Sequence, residues 1–283
     1  MASEKIPVEL GAVQETLLIP LLGRAFETER SNGLITDRRA VEIVSTLDYD
    51  FDKWRSGSSR STLSGAALRT RLFDLVVEDF LQKNPEGTVV EIGCGLNTRF
   101  ERLDNGKAHW IDLDLPDTIA LRRRFFDEAP RRIMIAASVL DTAWLDEVQA
   151  TGGPWVFISE AVMIYLEPPQ ARQAIEQIGA KFDAFSLVVD TVDRKMIERQ
   201  GRSGPMKELP RESWFRWECN DPREIETWVA GLRLVDSRTF VDAPPELVAR
   251  MPNPYRPLVK FTPWLMRWAL RGYWLNVFER KGG

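Results

Sequence analysis

Apolar side chains recur near helical spacing over residues 8–30, with Val13, Leu17, Leu21 and Phe26 in phase, and Asp37 stands where an N-cap would open a second helix over 38–47. Pro20 is expected to kink or split the first of these. A polar connection over 48–61 precedes a helical pattern at 68–81, and Asn84-Pro85-Glu86-Gly87 supplies a turn. Short apolar runs then predict strands at 88–92, 108–112, 132–136, 155–159 and 186–190, alternating with helical patterns at 116–127, 143–150 and 168–182. Such alternation predicts a parallel sheet. Beyond residue 190 the rhythm changes to a Gly/Pro-marked segment through 210, a short helix at 222–230, and two strand candidates at 232–240 and 273–280 that would close the sheet antiparallel. Between those two lies 242–272, rich in Pro and Trp, where the helical spacing of Trp264 and Trp268 predicts burial against the core.

The expected fold class is therefore α/β, a Rossmann-like, mostly parallel sheet with an antiparallel C-terminal strand. The 283 residues suffice for one large domain with an N-terminal helical cap over 1–60, a cofactor-binding core over 61–190, and an acceptor cap with closing strands over 191–283. Thirty-eight Lys and Arg against 42 Asp and Glu give a formal charge of -4, which makes no electrostatic case for nucleic acid or an anionic membrane as partner. A small molecule or another protein is the default. Cys94 and Cys219 are too few for a disulfide scaffold and lack metal-ligand spacing. The apolar run at 17–22 is short, follows Glu15 and has no basic start, so a cytoplasmic protein without a membrane span is expected. The single histidine, His109, sits beside Trp110 in a predicted strand; a histidine metal site and a Ser-His-Asp triad are both hard to build.

Where the first strand ends, the residues stop being generic. Val89-Val90-Glu91-Ile92 runs into Gly93-Cys94-Gly95, and Trp110-Ile111-Asp112-Leu113-Asp114 ends in carboxylates about 20 positions later, the spacing of a nucleoside site in a doubly wound sheet. Gly-x-Gly alone is often a mere tight turn; the acidic strand end is what points to adenosine. The third glycine that would admit a pyrophosphate is missing, its place held by Thr98 before Arg99 and Phe100. An adenosine ligand without phosphate fits better. S-adenosylmethionine is such a ligand, requiring a carboxylate for its ribose hydroxyls, a close glycine backbone, and partners for an ammonium and a carboxylate.

Further blocks follow in order: Leu22-Gly23-Arg24-Ala25, Asp37-Arg38-Arg39-Ala40, Asp48-Tyr49-Asp50-Phe51, Arg69-Thr70-Arg71-Leu72-Phe73-Asp74, Gly93 to Arg99, Asp114-Leu115-Pro116, and Ser159-Glu160-Ala161-Val162-Met163-Ile164-Tyr165-Leu166. Together they resemble the leucine carboxyl methyltransferase-like enzymes, in particular a bacterial branch acting on polyketide carboxyls. The resemblance spans 17–166, with weaker agreement to the C-terminus. It implies a class I S-adenosylmethionine-dependent methyltransferase fold. It assigns Arg69 to the methionine carboxylate, in keeping with the two parallel bonds a guanidinium offers. Gly93 and Gly95 would let the backbone approach the methionine end, and Cys94 and Thr98 are further cofactor-binding candidates. Asp114 would accept from the ribose; Asp112 competes, because alternate strand residues share a face. Glu160 would lie near the methionine moiety, and Tyr165 would line the methyl group or the acceptor unless it is a core tyrosine; these two are the candidate catalytic residues. Ser138-Val139 stand where the family commonly carries Asp-Leu at the adenine, and Asn97 where it commonly carries Asp.

Methyl transfer from a sulfonium is an in-line displacement, so the protein's task is alignment and exclusion of water. A carboxylate acceptor is already ionised at neutral pH, whereas a phenol needs a base. With one histidine in a strand, a carboxyl acceptor is favoured, and Arg24 and Arg211 are candidate partners for it. Trp264 in the Trp-rich insertion, together with Trp214-Phe215-Arg216-Trp217, would suit a large planar molecule. The expectation is an O-methyltransferase for a polyketide-like aromatic small molecule. Three alternatives stay open: a methyltransferase for a protein C-terminal leucine, which needs an open trench; an NAD-dependent oxidoreductase, disfavoured by the absent glycine and the Arg69 block; and a cofactor-binding protein without turnover.

Overall fold

The computed structural model describes residues 5–55, 59–202, 205–270 and 272–282. Seven strands form its main sheet: β1 (Thr88–Ile92), β2 (His109–Asp114), β3 (Arg132–Ala136), β4 (Trp155–Ser159), β5 (Phe185–Val192), β6 (Leu232–Arg238) and β7 (Tyr273–Arg280). Their order across the sheet is β3-β2-β1-β4-β5-β7-β6, parallel as far as β5, with β7 antiparallel to both of its neighbours. The last two strands are thus inverted in space relative to the chain. β7 inserts between β5 and β6, and 242–272 is the excursion that lets it do so.

The strands read as apolar runs because both faces are covered. Val90, Ile111 and Phe157 pack into one core with Trp144, Ile175 and Ile178, while Val89, Trp110, Val156 and Val188 face the opposite way onto Leu72, Phe73 and Val77. Adjacent residues of one strand therefore belong to different cores, the consequence of a side-chain period of two. Each apolar side chain fully buried in this way contributes about 1.5–3 kcal/mol over an exposed one.

Helix α1 (Leu18–Glu29) follows a single 3-10 turn at Gln14–Leu17, and α2 (Arg38–Thr46) follows Asp37. The expected helix over 8–30 is split ahead of Pro20, which lies in the first turn of α1, where its missing N–H has no helical acceptor to lose. Asp37 caps α2, its Oδ1 accepting from the Ala40 N–H at 3.0 Å. Helix α3 (Ser59–Lys83) starts nine residues before the periodic pattern. Its first turns carry small residues because α1 crosses them closely: a Cβ on Gly23 would lie 2.6 Å from the Leu63 carbonyl oxygen.

Between the strands run α4 (Arg99–Leu103), α5 (Pro116–Arg122), α6 (Ala143–Ala150) and α7 (Pro168–Lys181). Helix α5 ends earlier than its pattern, with Arg122 turned into the core against Asp112. Beyond β5 lies α8 (Arg194–Arg199), and the 242–272 excursion carries α9 (Pro245–Arg250), α10 (Tyr255–Phe261) and α11 (Pro263–Leu270). Among the described residues no helix is long and apolar enough to cross a membrane, and no group of three or more His, Cys, Asp and Glu is placed to hold a metal ion.

Candidate functional site

At the C-terminal ends of the parallel strands, where open α/β sheets bind ligands, a cavity of about 790 Å³ opens. β1 delivers Gly93, Cys94 and Gly95 to its wall, β2 delivers Asp114, the segment after β3 delivers Ser138 and Val139, and the segment after β4 delivers Glu160 and Tyr165. Helix α3 adds Arg69. The lining also includes the apolar and aromatic side chains of Phe215, Phe240, Met251, Tyr255 and Val259.

The two glycines are fixed by backbone geometry. Gly93 has φ 65° and Gly95 φ 48°, both left-handed, and a Cβ on Gly93 would meet Val162 Cγ2 at 2.2 Å. The turn is held to β2: Gly93 and Cys94 donate to the Leu113 carbonyl at 2.7 and 3.1 Å, and Gly95 donates to Asp114 Oδ2 at 2.7 Å. The other Asp114 oxygen accepts from the Leu115 N–H at 2.7 Å. Burial outweighs these donors and pushes its carboxyl up to about 6. Cys94 is buried, and burial raises its thiol well above the ordinary range, so it lines the wall as a protonated apolar group.

Glu160 is bound on every side. Oε1 accepts from Arg69 Nε at 3.0 Å and from Thr70 Oγ1 at 2.7 Å, and Oε2 accepts from Arg99 Nη2 at 2.6 Å. Burial would raise its carboxyl, but Arg69 and Arg99 override that and hold it at about 2. Such a group takes no proton near neutrality, and its hydrogen bond holds Arg69 in place. Arg69 also donates through Nη1 to Tyr273 Oη at 3.3 Å, leaving Nη2 without a partner among the described residues. Tyr273 in turn donates to Asp190 Oδ2, which also accepts from the Ala161 N–H at 2.7 Å. That bond anchors Ala161 at φ 55°, a left-handed conformation that costs a non-glycine residue about 1–3 kcal/mol. Burial pushes Asp190 up to about 6 despite Arg69 and Tyr273, and its Oδ1 has no partner among the described residues.

Asp190 and Tyr273 escaped the sequence reading. Asp190 obeys the rule that selected Glu160, a carboxylate at the C-terminal end of a parallel strand. Tyr273 arrives only because the antiparallel register pairs it with Val192, placing the start of β7 at the active edge.

Several sequence candidates are engaged elsewhere. Asp112 is 1% exposed, and its Oδ2 accepts from Arg122 Nη2 and Arg132 Nε, each at 2.9 Å; it braces the core and does not reach the cavity wall. Thr98 is fully buried and donates to Asp37 Oδ2, because its turn faces the N-terminal cap. Arg24 touches the wall, but its guanidinium is tied to Asp37 at 2.8 Å and to the Leu96 carbonyl at 2.7 Å, so it is not offered to an acceptor. Arg211 is exposed and outside the cavity. Trp264 is 71% exposed and neither packs in the core nor lines the cavity; the Trp268 side chain lies outside the described residues. Tyr165 does line the wall, its ring 5.2 Å from that of Phe215, and burial keeps its phenol protonated.

Behind the wall runs a buried ion-pair chain that sequence patterning does not signal. Arg99, fully buried, joins Asp74 at 2.7 Å, Glu91 at 2.6 Å and Glu160 at 2.6 Å; Arg102 joins Asp74 at 2.8 Å and Asp37 at 3.3 Å. Arg24 completes the connection to α1, so α1, α3, α4 and the strand ends share one charge network.

The wall fits an adenosine-bearing, zwitterionic ligand. It combines a carboxylate on backbone donors at a strand end, a glycine turn and, among the described residues, a guanidinium with an unused nitrogen and a buried Asn97 Oδ1 without a partner. The leucine carboxyl methyltransferase family model matches residues 18–179. The tetracenomycin polyketide synthesis O-methyltransferase TcmP of Streptomyces glaucescens is 29% identical over 240 residues, covering 84% of this chain and 86% of that protein. The S-adenosyl-L-methionine-dependent methyltransferase dpfgK of Gibberella zeae is 32% identical over 267 residues, covering 84% and 85%. In fold, the plantazolicin methyltransferase BpumL, solved with SAH, is similar at a TM-score of 0.51 and 12% identity over 96% of this chain and 100% of that one. With its class I methyltransferase strand order and a family match over more than half its length, the chain belongs to the leucine carboxyl methyltransferase family and is an S-adenosylmethionine-dependent methyltransferase.

Proposed function

We propose that the protein methylates an oxygen, in the first place a carboxylate, of an aromatic small-molecule acceptor of polyketide type. The observation that carries this reading is the lining of the cavity: polar strand-end groups and aromatic side chains share one space of about 790 Å³. That lies within the roughly 300–1,000 Å³ of pockets that enclose small ligands. An extended peptide terminus would call for a trench.

When bound, S-adenosylmethionine supplies an electrophilic methyl group on a sulfonium. Arg69, held by Glu160 and Tyr273, would take the methionine carboxylate; Asp114 would accept from the ribose hydroxyls; Ser138 and Val139 would border the adenine; Gly93 and Gly95 would let the backbone close on the methionine end. The remaining work is orientation. No histidine lines the cavity among the described residues, Glu160 is held at about 2, and burial keeps Tyr165 and Tyr273 protonated. An acceptor that is already ionised suits such a wall, since a phenol would need a base. Tyr165 and Phe215 would flank a planar ring.

The test is product mass after incubating the protein with labelled cofactor and three acceptor sets: aromatic acids, the matching phenols, and peptides ending in leucine. Methyl esters of the acids are expected. Methylation confined to the peptides would reject the small-molecule reading, and turnover of phenols alone would reject the carboxyl preference.

A further inference from the structure

We propose that Arg199 is a specificity-determining residue that draws the anionic group of the acceptor into the cavity; the proposal rests on the small-molecule reading above and deepens it. Four arginines line the cavity among the described residues: Arg24, Arg69, Arg199 and Arg216. Three are neutralised by carboxylates, Arg24 by Asp37 at 2.8 Å, Arg69 by Glu160 at 3.0 Å and Arg216 by Glu167 at 3.1 Å. The Arg199 guanidinium has neither a carboxylate nor a hydrogen-bond partner among the described residues.

Arg199 is exposed, but its backbone is anchored. Arg199 closes α8, and the next residue fastens the backbone: Gln200 Oε1 accepts from the Phe215 N–H at 2.7 Å while its Nε2 donates to the Phe215 carbonyl at 3.0 Å. This pair of hydrogen bonds ties the residue after Arg199 to Phe215, whose ring packs on Tyr165 in the wall. The other arginine of α8, Arg194, is instead bound by Glu198 at 2.8 Å and lies off the cavity.

The charge balance of the wall gives the ligand class. Asp114 and Glu160 are the acidic residues of the described lining; Glu160 is matched by Arg69 and Arg99, and Asp114 lies at the strand-end side on backbone donors. Met196, Phe215, Phe240 and Tyr255 line the same cavity as Arg199, and beyond Asp114 and Glu160 the described lining holds no carboxylate to match it. A planar aromatic carboxylate complements both features, with its ring on the aromatic side chains and its oxygens on a guanidinium that offers paired donors.

The test separates binding from turnover. Binding of an anthracene carboxylate and of its neutral hydroxymethyl counterpart is titrated by fluorescence against the S-adenosylhomocysteine complex of the wild type, Arg199→Ala and Arg199→Lys. The wild type should prefer the carboxylate. Arg199→Ala should weaken the carboxylate by about 10- to 100-fold, as expected for one charge-assisted contact, leave the neutral probe and cofactor affinity unchanged, and be partly rescued by Arg199→Lys. In turnover, KM for aromatic acids should rise with kcat little changed. Equal wild-type affinity for both probes, binding of neither, an unchanged carboxylate affinity in Arg199→Ala, or a parallel loss of neutral probe would each overturn the proposal. A carboxylate preference that depends on Arg199 in a protein that methylates no aromatic acid would leave the binding site standing and reject the proposed reaction.

Discussion

Replacing Glu160 by Gln tests whether this carboxylate orients Arg69 or handles a proton. The substitution keeps the shape and removes the charge, and the new amide N–H group must face one of two guanidiniums, Arg69 Nε at 3.0 Å or Arg99 Nη2 at 2.6 Å from the present oxygens. The native surroundings lower the carboxyl from 4.5 to about 2. At about 1.4 kcal/mol per tenfold change in proton affinity, that is about 3 kcal/mol of stabilisation of the ionised form, in the range of about 3–5 kcal/mol for breaking a buried pair. Because the folded value lies below the ordinary one, this stabilisation is fully present above about pH 4.5 and is lost as pH falls through about 2, so the whole deficit appears at neutral pH. Urea unfolding followed by tryptophan fluorescence should show a loss of about 3 kcal/mol, and calorimetry should show weaker cofactor binding as Arg69 loses its brace. The pH profile of kcat/KM should keep its shape. A stability loss under about 1 kcal/mol, or an acid limb present in the wild type and abolished in Glu160→Gln, would refute the positioning role.

Asp112 and Asp114, two residues apart, should separate cleanly: Asp112→Asn removes the carboxylate that pairs with Arg122 and, beside Glu101, with Arg132, and should cost about 3–5 kcal/mol of stability with little change in cofactor affinity once folded, whereas Asp114→Asn should do the reverse, as unfolding curves and calorimetry on both variants will tell. Asp190 is raised to about 6 from 3.8, so its contribution to stability is complete below about pH 3.8 and is lost as pH rises through about 6; Asp190→Asn should therefore gain relative to the wild type across about pH 4–7 in urea titrations, and a difference flat with pH would contradict this. Gly93→Ala should cost about 1–3 kcal/mol from its positive φ, plus overlap with Val162 that a second change, Val162→Ala, should relieve; full recovery in the double variant would show that backbone strain is absent. Trp264→Ser, at a 71% exposed position outside the cavity, should stay within about 0.5 kcal/mol in stability and leave kcat and KM for aromatic acids unchanged.

The chain's local physics determined much of this protein in advance. Strand positions followed from apolar runs, three of the five parallel strands falling on the expected residues, because burial on both faces removes polar alternation. Gly93, Gly95 and the Asp112/Asp114 pair were legible as candidates because a tight turn and a strand terminus are properties of a few consecutive residues, while spacing left the choice between the two aspartates open and the family resemblance favoured Asp114 and placed Glu160 near the methionine moiety. Tertiary structure alone decided which charges face the cavity. Arg69 meets Glu160 from 91 positions away and Tyr273 from 204, while Arg24 and Asp112 have the same chemistry as site residues but find internal partners first. An arginine or aspartate has no local signature of its partner: pairing depends on register and helix packing, and the insertion of β7 between β5 and β6 carried Tyr273 to the site while leaving Trp264 in solvent.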